Sequence, residues 1–466
     1  MLRFSECKVK NLKKLNLNIN VSRLVGGLNK DTLKLLHLKY KDFIFIYIFK
    51  FTSFYSLKKF KQPDWSFFEL PDISYDNISY FSSPSNLEDK INFNLKDFLK
   101  LDNLSENSII NSAVDVVLDS VSVVDTATTI LIKTGIIFIP FLQSVTYFPF
   151  LVSKYLGTIV SIEDNFYAAL NSSVFSGGSF CYIPRNIHCR INLSTYFRTH
   201  TEDYAQFERT LLIADKNSLI LYNEGCSAPV FVESQLHVAL VEILVKSFGV
   251  VNYSTVQNWY RGDQTGEGGL YNFTTKRCWC LNNATIDWIQ VEMGSAITWK
   301  YPSTYLLGTK SSSNFFSLSL ISDLQVSDTG NKMYHIGSET KSRVYSKSIS
   351  LNKSLYTYRG LVYIFKKAKN TYNFTECNSL LLGDSTFTAT IPYTIVNNYS
   401  TFINQEASVS KIESDFIFFL LQRGINLKDA LTLLIYGFCS NICSRLPINL
   451  ELELPLIILM RTQSNF

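Results

Sequence analysis

The chain has 466 residues, 46% of them hydrophobic and 18% charged, with a net charge of +5. That balance excludes a disordered polymer, and so small a charge gives no argument for nucleic acid as a partner. A length beyond roughly 250–300 residues exceeds what one hydrophobic core usually serves, so two or three folding units are expected.

Residues 1–155 read as an N-terminal domain, mainly helical with irregular parts. Its basic start (Lys8, Lys10, Lys13, Lys14) is not followed by an apolar signal core. The run Phe43–Phe49 is too short to span a membrane and is expected in the core as strand or helix. Over Asn107–Ile130 apolar residues recur at mixed spacings of three and four, which predicts a helix. Gly135–Val152 is about long enough to span, but Pro140 and Pro149 interrupt it, Gln143 sits inside it, and Lys133 and Lys154 flank it. A buried helix and loop, with no membrane span, is the expectation.

Residues 156–405 change character. Short β-rich runs follow one another: LLIA at 211, SLILY at 218, HVALVEILV at 237, NYSTVQNWY at 252 and TIDWIQVEM at 285. They continue with SAITWKY at 295, FFSLSLI at 315, RVYSKSIS at 343, YRGLVYI at 358 and SLLLGD at 379. Many alternate apolar and polar residues, the period-two signature of a strand. Such a series fits a sandwich, a barrel or a β-helix, and no strict repeat motif chooses among them. Residues 406–466 return to a helical period. Ile412, Phe416, Phe419 and Leu420 predict one helix stopped at Arg423-Gly424. Leu427, Ala430, Leu431, Leu434 and Ile435 predict a second, followed by Gly437 and Phe438, and Leu450–Met460 a third segment.

Nine cysteines are present: Cys7, Cys181, Cys189, Cys226, Cys278, Cys280, Cys377, Cys439 and Cys443. Their odd number and wide scatter argue for reduced thiols in a reducing compartment. No C-x-x-C pair gives a zinc signature. Cys439 and Cys443, four apart on a predicted helix, share a face and read as core packing or a docking surface. Cys181, Cys189 and Cys226 read as structural. His37, His188, His200, His237 and His335 form no H-x-x-x-H pair, and packing on strands accounts for His237 and His335. The segment RGDQTGEGG at 261–269 holds Gly262, Gly266, Gly268 and Gly269 but no Walker A lysine, so it reads as a turn and offers no recognisable nucleotide site of the ATP-hydrolysing kind. The abundance of Phe, Tyr, Ile, Asn and Lys follows AT-rich codons and suggests a plastid-type (apicoplast-like) genome.

Long blocks of the chain resemble the SufB/SufD family of iron–sulfur cluster assembly scaffolds, in its SufB branch of plastid type. They include LVSKYLGTIV (151–160), DNFYAALNSSVFSGGSF (164–180), LSTYFRTHTEDYAQFERTLLIAD (193–215) and EGCSAPV (224–230). Further blocks are YSTVQNW (253–259), NFTTKR (272–277), GSAITWKYPS (294–303), DTGNKMYHIGSETKS (328–342), YRGLV (358–362), NFTECNSLLLG (373–383) and LQRGI (421–425). The resemblance covers about two-thirds of the chain and leaves residues 1–130 with little likeness. It implies a mainly β fold: a right-handed parallel β-helix core flanked by N-terminal and C-terminal helical regions. It implies partners as well: a SufD sister paired through the β-helix, a SufC ATPase held by the C-terminal helices, and sulfur delivered as persulfide by SufS and SufE. A reduced flavin is associated with the assembled family complex.

The resemblance also assigns roles. Cys280, shortly after the TKR block, is the implied persulfide acceptor. Lys276 and Arg277 lie close enough in sequence to favour its thiolate. On a strand Lys276, Cys278 and Cys280 share one face, and Cys278 either relays sulfur or packs. Cys377 and Glu406 are the implied ligands of a transient cluster, most simply of the 4Fe-4S kind; the bland alternative for Glu406 is a solvated loop carboxylate. The chain departs from the family where Asn404-Gln405-Glu406 replaces Glu-His-Glu, since an amide is no ordinary iron ligand. The runner-up role is a SufD-like structural subunit that receives no sulfur; Cys280 with Cys377 favours the SufB role.

Overall fold

The computed structural model describes residues 4–8, 20–24, most of 27–84, 112–118, 121–125 and 131–446, apart from 199–204, 229–233 and a few single positions. The third C-terminal segment expected at 450–460 lies outside the described residues. Strands β1 (Phe4–Lys8), β2 (Asn20–Leu24) and, later, β3 (Ser82–Pro84) form a small antiparallel sheet. Between β2 and β3 run helices α1 (Lys30–Tyr40) and α2 (Ile44–Leu57), so the apolar run from Phe43 opens a helix.

The helix expected over 107–130 is replaced by two strands, β4 (Ser112–Leu118) and β5 (Val121–Asp125). The reason is composition: Val114, Val116, Val117, Val121, Val123 and Val124 are β-branched and stiff at χ1, which favours a pleated surface. Ala113–Val117 are all buried, and a segment buried on both faces carries no clean period. Next come β6 (Ile137–Pro140), α3 (Phe141–Tyr147), α4 (Pro149–Tyr155) and α5 (Phe166–Val174). The stretch 135–152 is therefore a strand and two short helices, with Pro149 opening the second, where its missing N–H costs nothing. No helix among the described residues is long and apolar enough to cross a membrane.

From here the chain coils. Its strands are β7 (Ser179–Ile183), β8 (Asn192–Arg198), β9 (Ala205–Ala214), β10 (Leu219–Ser227), β11 (Gln235–Val245), β12 (Val250–Asn258), β13 (Leu270–Cys280) and β14 (Thr285–Met293). They continue as β15 (Ile297–Lys300), β16 (Ser303–Leu306), β17 (Ser312–Ile321), β18 (Val326–His335), β19 (Lys341–Leu351), β20 (Leu355–Ile364), β21 (Tyr372–Leu382), β22 (Phe387–Val396) and β23 (Phe402–Lys411). One ten-stranded sheet runs β23-β21-β19-β17-β14-β12-β10-β8-β4-β5. The other runs β22-β20-β18-β15-β13-β11-β9-β7-β6, with β16 beside β13 and β18. Along the coil the strand partners are parallel and in register, as in Ser346 opposite Cys377. This is a parallel β-solenoid, and it resolves the choice among sandwich, barrel and β-helix.

A ladder of corners sets the coil. Asn217, Phe248, Asn283, Lys310, Glu339 and Asn370 all have φ between 52° and 62°, in the left-handed region. Neighbouring corners bond to one another, as in Asn283 N to Thr309 O and Lys310 N to Ser338 O, both near 3 Å. The position tolerates Asn, Lys, Glu and even Phe, so a strict backbone repeat leaves no strict sequence repeat.

The lumen holds an apolar core that includes Leu212, Ile243, Val245, Val251, Ile286, Trp288, Phe315 and Val344. Outside, α1, α2 and α5 pack Leu33, Leu36, Ile46, Phe54 and Tyr167 against Phe207, Phe273 and Trp299 of one sheet. Helices α6 (Ser414–Leu421) and α7 (Leu427–Cys443) follow the last strand. α7 lays Ile435, Cys439, Ile442 and Cys443 on Ile289, Val291, Phe316 and Leu318 of the other sheet. The expected stop at Arg423-Gly424 is present, with Gly424 at φ 78°. The second helix runs through Gly437 to Cys443, as the shared face of Cys439 and Cys443 requires, its buried face outweighing the ~1 kcal/mol that a mid-helix glycine costs. Cys439 and Cys443 are thus packing residues.

Candidate functional site

Strand β13 carries Lys276, Arg277, Cys278, Trp279 and Cys280 in succession, and the pleat sorts them by face. Lys276, Cys278 and Cys280 point into the lumen and are fully buried. Arg277 points outward and clasps Asp164, Nη2 to Oδ1 at 2.6 Å and Nε to Oδ2 at 3.0 Å. The two basic residues do not serve the thiols. The Lys276 ammonium donates to Glu224 Oε1 at 3.1 Å and to the Tyr253 hydroxyl at 3.0 Å. Burial pushes Glu224 up, yet Lys276 and the Tyr253 hydroxyl outweigh it and hold the carboxyl below the usual range.

Cys280 ends its strand. Its register partners are Val245 and Leu306, and those of Cys278 are Ile243 and Thr304. The two sulfurs lie 3.7 Å apart with a thiol hydrogen bond between them. Burial, and then the neighbouring Cys280, raise the Cys278 thiol well above its ordinary value.

The lumen also holds polar groups whose pairing the sequence does not show. His237 sets Nδ1 3.0 Å from Asn272 Oδ1 and Nε2 3.3 Å from Glu208 Oε2. Burial pushes Glu208 up to about 7. Lys300 pairs with Glu292, and burial lowers its ammonium to about 8. His335 is held by Thr340 Oγ1 at 2.7 Å and Ser342 Oγ at 2.8 Å, consistent with packing. Period-two alternation marks these residues as inward-facing, but nothing in the sequence pairs partners that are separated by whole coils.

Cys377 lies on β21, pointing inward among Ile321, Tyr356 and Tyr358. Burial pushes its thiol up to about 12, and the Tyr358 hydroxyl works the other way. Glu406 lies on β23, so it is a strand residue and not a loop one. Its register partner is Glu376, while Ala407 is the partner of Cys377. Cys377 and Glu406 therefore sit on adjacent strands at the same end of the solenoid but on opposite faces. Gln405 shares the inward side and accepts from Thr394 Oγ1 at 2.6 Å. Among the described residues no three His, Cys, Asp or Glu side chains converge on a metal-binding geometry.

This end of the solenoid carries apolar residues that stand exposed among the described residues. Phe387, Ile391, Tyr393, Tyr399, Phe402 and Val409 are exposed on or between β22 and β23, the last strands of their sheets. A second apolar patch lies on the C-terminal helices, where Phe416, Phe418, Phe419, Leu427, Leu433 and Tyr436 face outward. Exposed apolar residues grouped in this way are a common feature of surfaces where another chain docks.

The family model "SUF system FeS cluster assembly, SufBD core domain" matches residues 197–438. The chain is 51% identical over 448 residues to the "Iron-sulfur cluster assembly protein SufB" of Plasmodium falciparum, covering 96% of this chain and 95% of that one. It is 44% identical over 436 residues to the "Iron-sulfur cluster assembly SufBD family protein ycf24" of Pyropia yezoensis, covering 92% and 90%. Against the "Iron-sulfur cluster assembly SufBD family protein ABCI8, chloroplastic" of Arabidopsis thaliana the identity is 43% over 430 residues, covering 90% and 77%.

Proposed function

Because the chain belongs to the SufBD family of iron–sulfur cluster assembly proteins, we propose that it is the SufB-type scaffold subunit of a SufB–SufC–SufD complex. In this reading Cys280 accepts sulfane sulfur as a persulfide from SufS and SufE. Iron and sulfide then gather at the open end of the solenoid on Cys377 and Glu406. The remaining ligands come from the SufD subunit, since Gln405 stands where relatives offer an imidazole and Cys377 and Glu406 face apart. The cluster is cargo, built and handed on, most simply a 4Fe-4S unit. Reduction of sulfane sulfur to sulfide draws on a reduced flavin bound at the level of the complex.

The observation that carries this reading is the uncovered end of the coil. A solenoid normally caps its terminal repeat with a polar face. Here, among the described residues, β22 and β23 end their sheets and expose apolar side chains, with Cys377 one strand in. That arrangement suits a sister solenoid adding its own strands and closing a cluster site across the joint. The exposed face of α6 and α7 is the proposed SufC dock, through which nucleotide-driven SufC dimerisation acts on the joint. A plastid-type organelle is the proposed location, in keeping with the chloroplastic relative.

The test is anaerobic reconstitution of the chain with SufC, SufD, ferrous iron and a sulfur source. The wild-type complex gains the visible absorption of an iron–sulfur cluster, and Cys377→Ser does not. A complex with Cys377→Ser that assembles the same cluster in the same yield overturns the site, and a wild-type complex that binds no iron overturns the scaffold reading.

A further inference from the structure

We propose that Cys278 is a second sulfur-handling thiol, which takes the sulfane sulfur from Cys280 one step deeper into the lumen. The inference rests on Cys280 being the acceptor and deepens that reading. Three observations carry it. The two sulfurs are 3.7 Å apart. That is close to twice an S–S bond of ~2.05 Å, so an extra sulfur on one reaches the other once the two side chains turn to bring the approach into line with the bond that breaks. The order along β13 also has a direction: Cys280 adjoins the corner where Asn282 is exposed, and Cys278 sits two residues inward, before Lys276. Finally, both thiols are fully buried, with Ile243, Val245 and Leu306 as apolar neighbours and Thr304 beside Cys278.

The step balances. The Cys278 sulfur bonds to the outer sulfur of the Cys280 persulfide, and the bond from that outer sulfur to Cys280 breaks. The proton of Cys278 passes to the departing Cys280 sulfur along the S–H···S contact. No electron enters or leaves, and no charge is created, which suits a region where a lone thiolate is expensive. Lys276 does not need to activate either thiol, in keeping with its engagement by Glu224 and Tyr253.

The experiment exposes the full chain to inorganic polysulfide under anaerobic conditions, quenches with an alkylating agent at intervals, and reads each thiol by fragmentation mass spectrometry. Cleavage after Arg277 leaves Cys278 and Cys280 on one peptide, and Trp279 separates them in the fragment series. In the wild type sulfane sulfur appears on Cys280 first and on Cys278 later. In Cys278→Ala and Cys278→Ser the Cys280 persulfide accumulates to about twofold or more above wild type, because its outlet is gone. In Cys280→Ser, Cys278 stays unlabelled. A wild type that carries sulfur on Cys280 and never on Cys278 overturns the relay and leaves the acceptor reading standing. Equal labelling of Cys278 in wild type and Cys280→Ser overturns the order of transfer, and a wild type labelled at neither thiol overturns both readings. The wild-type time course decides even if a variant fails to fold.

Discussion

The clasp between Arg209 and Glu242 should hold the N-terminal helices on the solenoid, and its removal has a calculable cost. Both side chains are fully buried. Glu242 Oε1 accepts from Arg209 Nε at 3.1 Å and Nη2 at 2.5 Å. The same carboxylate accepts backbone N–H groups from Gly157, Ile159 and Val160 at 3.1–3.2 Å. Arg209 in turn donates to Ser172 of α5 and lies over the rings of Phe49 of α2 and Phe175. Glu242→Ala strands a buried guanidinium, which costs about 3–5 kcal/mol. It also orphans three amides at about 1–3 kcal/mol each, a sum that water entering the vacated space will reduce. A net loss of about 5 kcal/mol is expected, a large share of a total stability of about 5–15 kcal/mol. Glu242→Gln keeps an acceptor and the shape, and should lose about 1.5–3 kcal/mol. Urea denaturation followed by circular dichroism measures both, and limited proteolysis should cut the alanine variant near 157–160 first. A loss under about 1 kcal/mol for Glu242→Ala, with no new cleavage there, would refute the reasoning.

Four further outcomes are expected. Cys280→Ser should leave the fold intact at a cost of about 1–3 kcal/mol and abolish persulfide accumulation after SufS treatment; a persulfide of wild-type yield on another cysteine contradicts the acceptor assignment. Replacing Phe416, Phe418 and Phe419 together by serine should remove SufC binding in a pull-down without lowering the melting temperature, because all three are exposed; full retention of SufC rules out this dock. Glu406→Ala should cut cluster yield with little effect on stability, and Gln405→His should slow loss of visible absorbance in excess chelator; a Glu406→Ala complex that keeps its cluster like wild type makes Glu406 a bystander. Burial lowers His335 from 6.5 to about 4. The unfolded chain therefore binds a proton that the folded chain refuses, and stability falls by up to ~3 kcal/mol as pH drops from about 6.5 to about 4. His335→Gln should flatten that part of the stability–pH curve, and an unchanged slope removes His335 as its source.

Much of the fold was legible because a strand with one face in the lumen and one outside alternates faithfully, as in KSRVYSKSI of β19, where alternate residues are buried. The coil itself was not legible. Its corner demands a positive φ and not a residue type, so Asn217, Phe248, Lys310 and Glu339 fill one structural role without resembling one another. Strand β4 was misread for the opposite reason: Ala113–Val117 are buried on both faces and alternate with nothing. For the site, the pleat placed Lys276, Cys278 and Cys280 on one face correctly, and the resemblance singled out Cys280 and Cys377. What the sequence could not supply was the partner of Lys276. Glu224 lies 52 residues away and is brought close only by the coil. Proximity in sequence therefore offered the wrong role for that ammonium, activation of a thiol, where the fold gives it a carboxylate.

The seating of α7 has a mechanical consequence. Lys347 of β19 donates to the Phe438 carbonyl at 2.9 Å and lies over the Phe438 ring, while Arg445 covers Phe316 of β17. Neighbouring Ser346 is the register partner of Cys377 on β21. A close-packed sheet does not absorb a shove by yielding smoothly; it moves as a board or its joints give way. A pull on α7 along its axis must either unhook Lys347 or shift β19, and the strand beside β19 is the one that carries Cys377. The helix and that lysine thus tie the C-terminal helical unit to the strand beside Cys377.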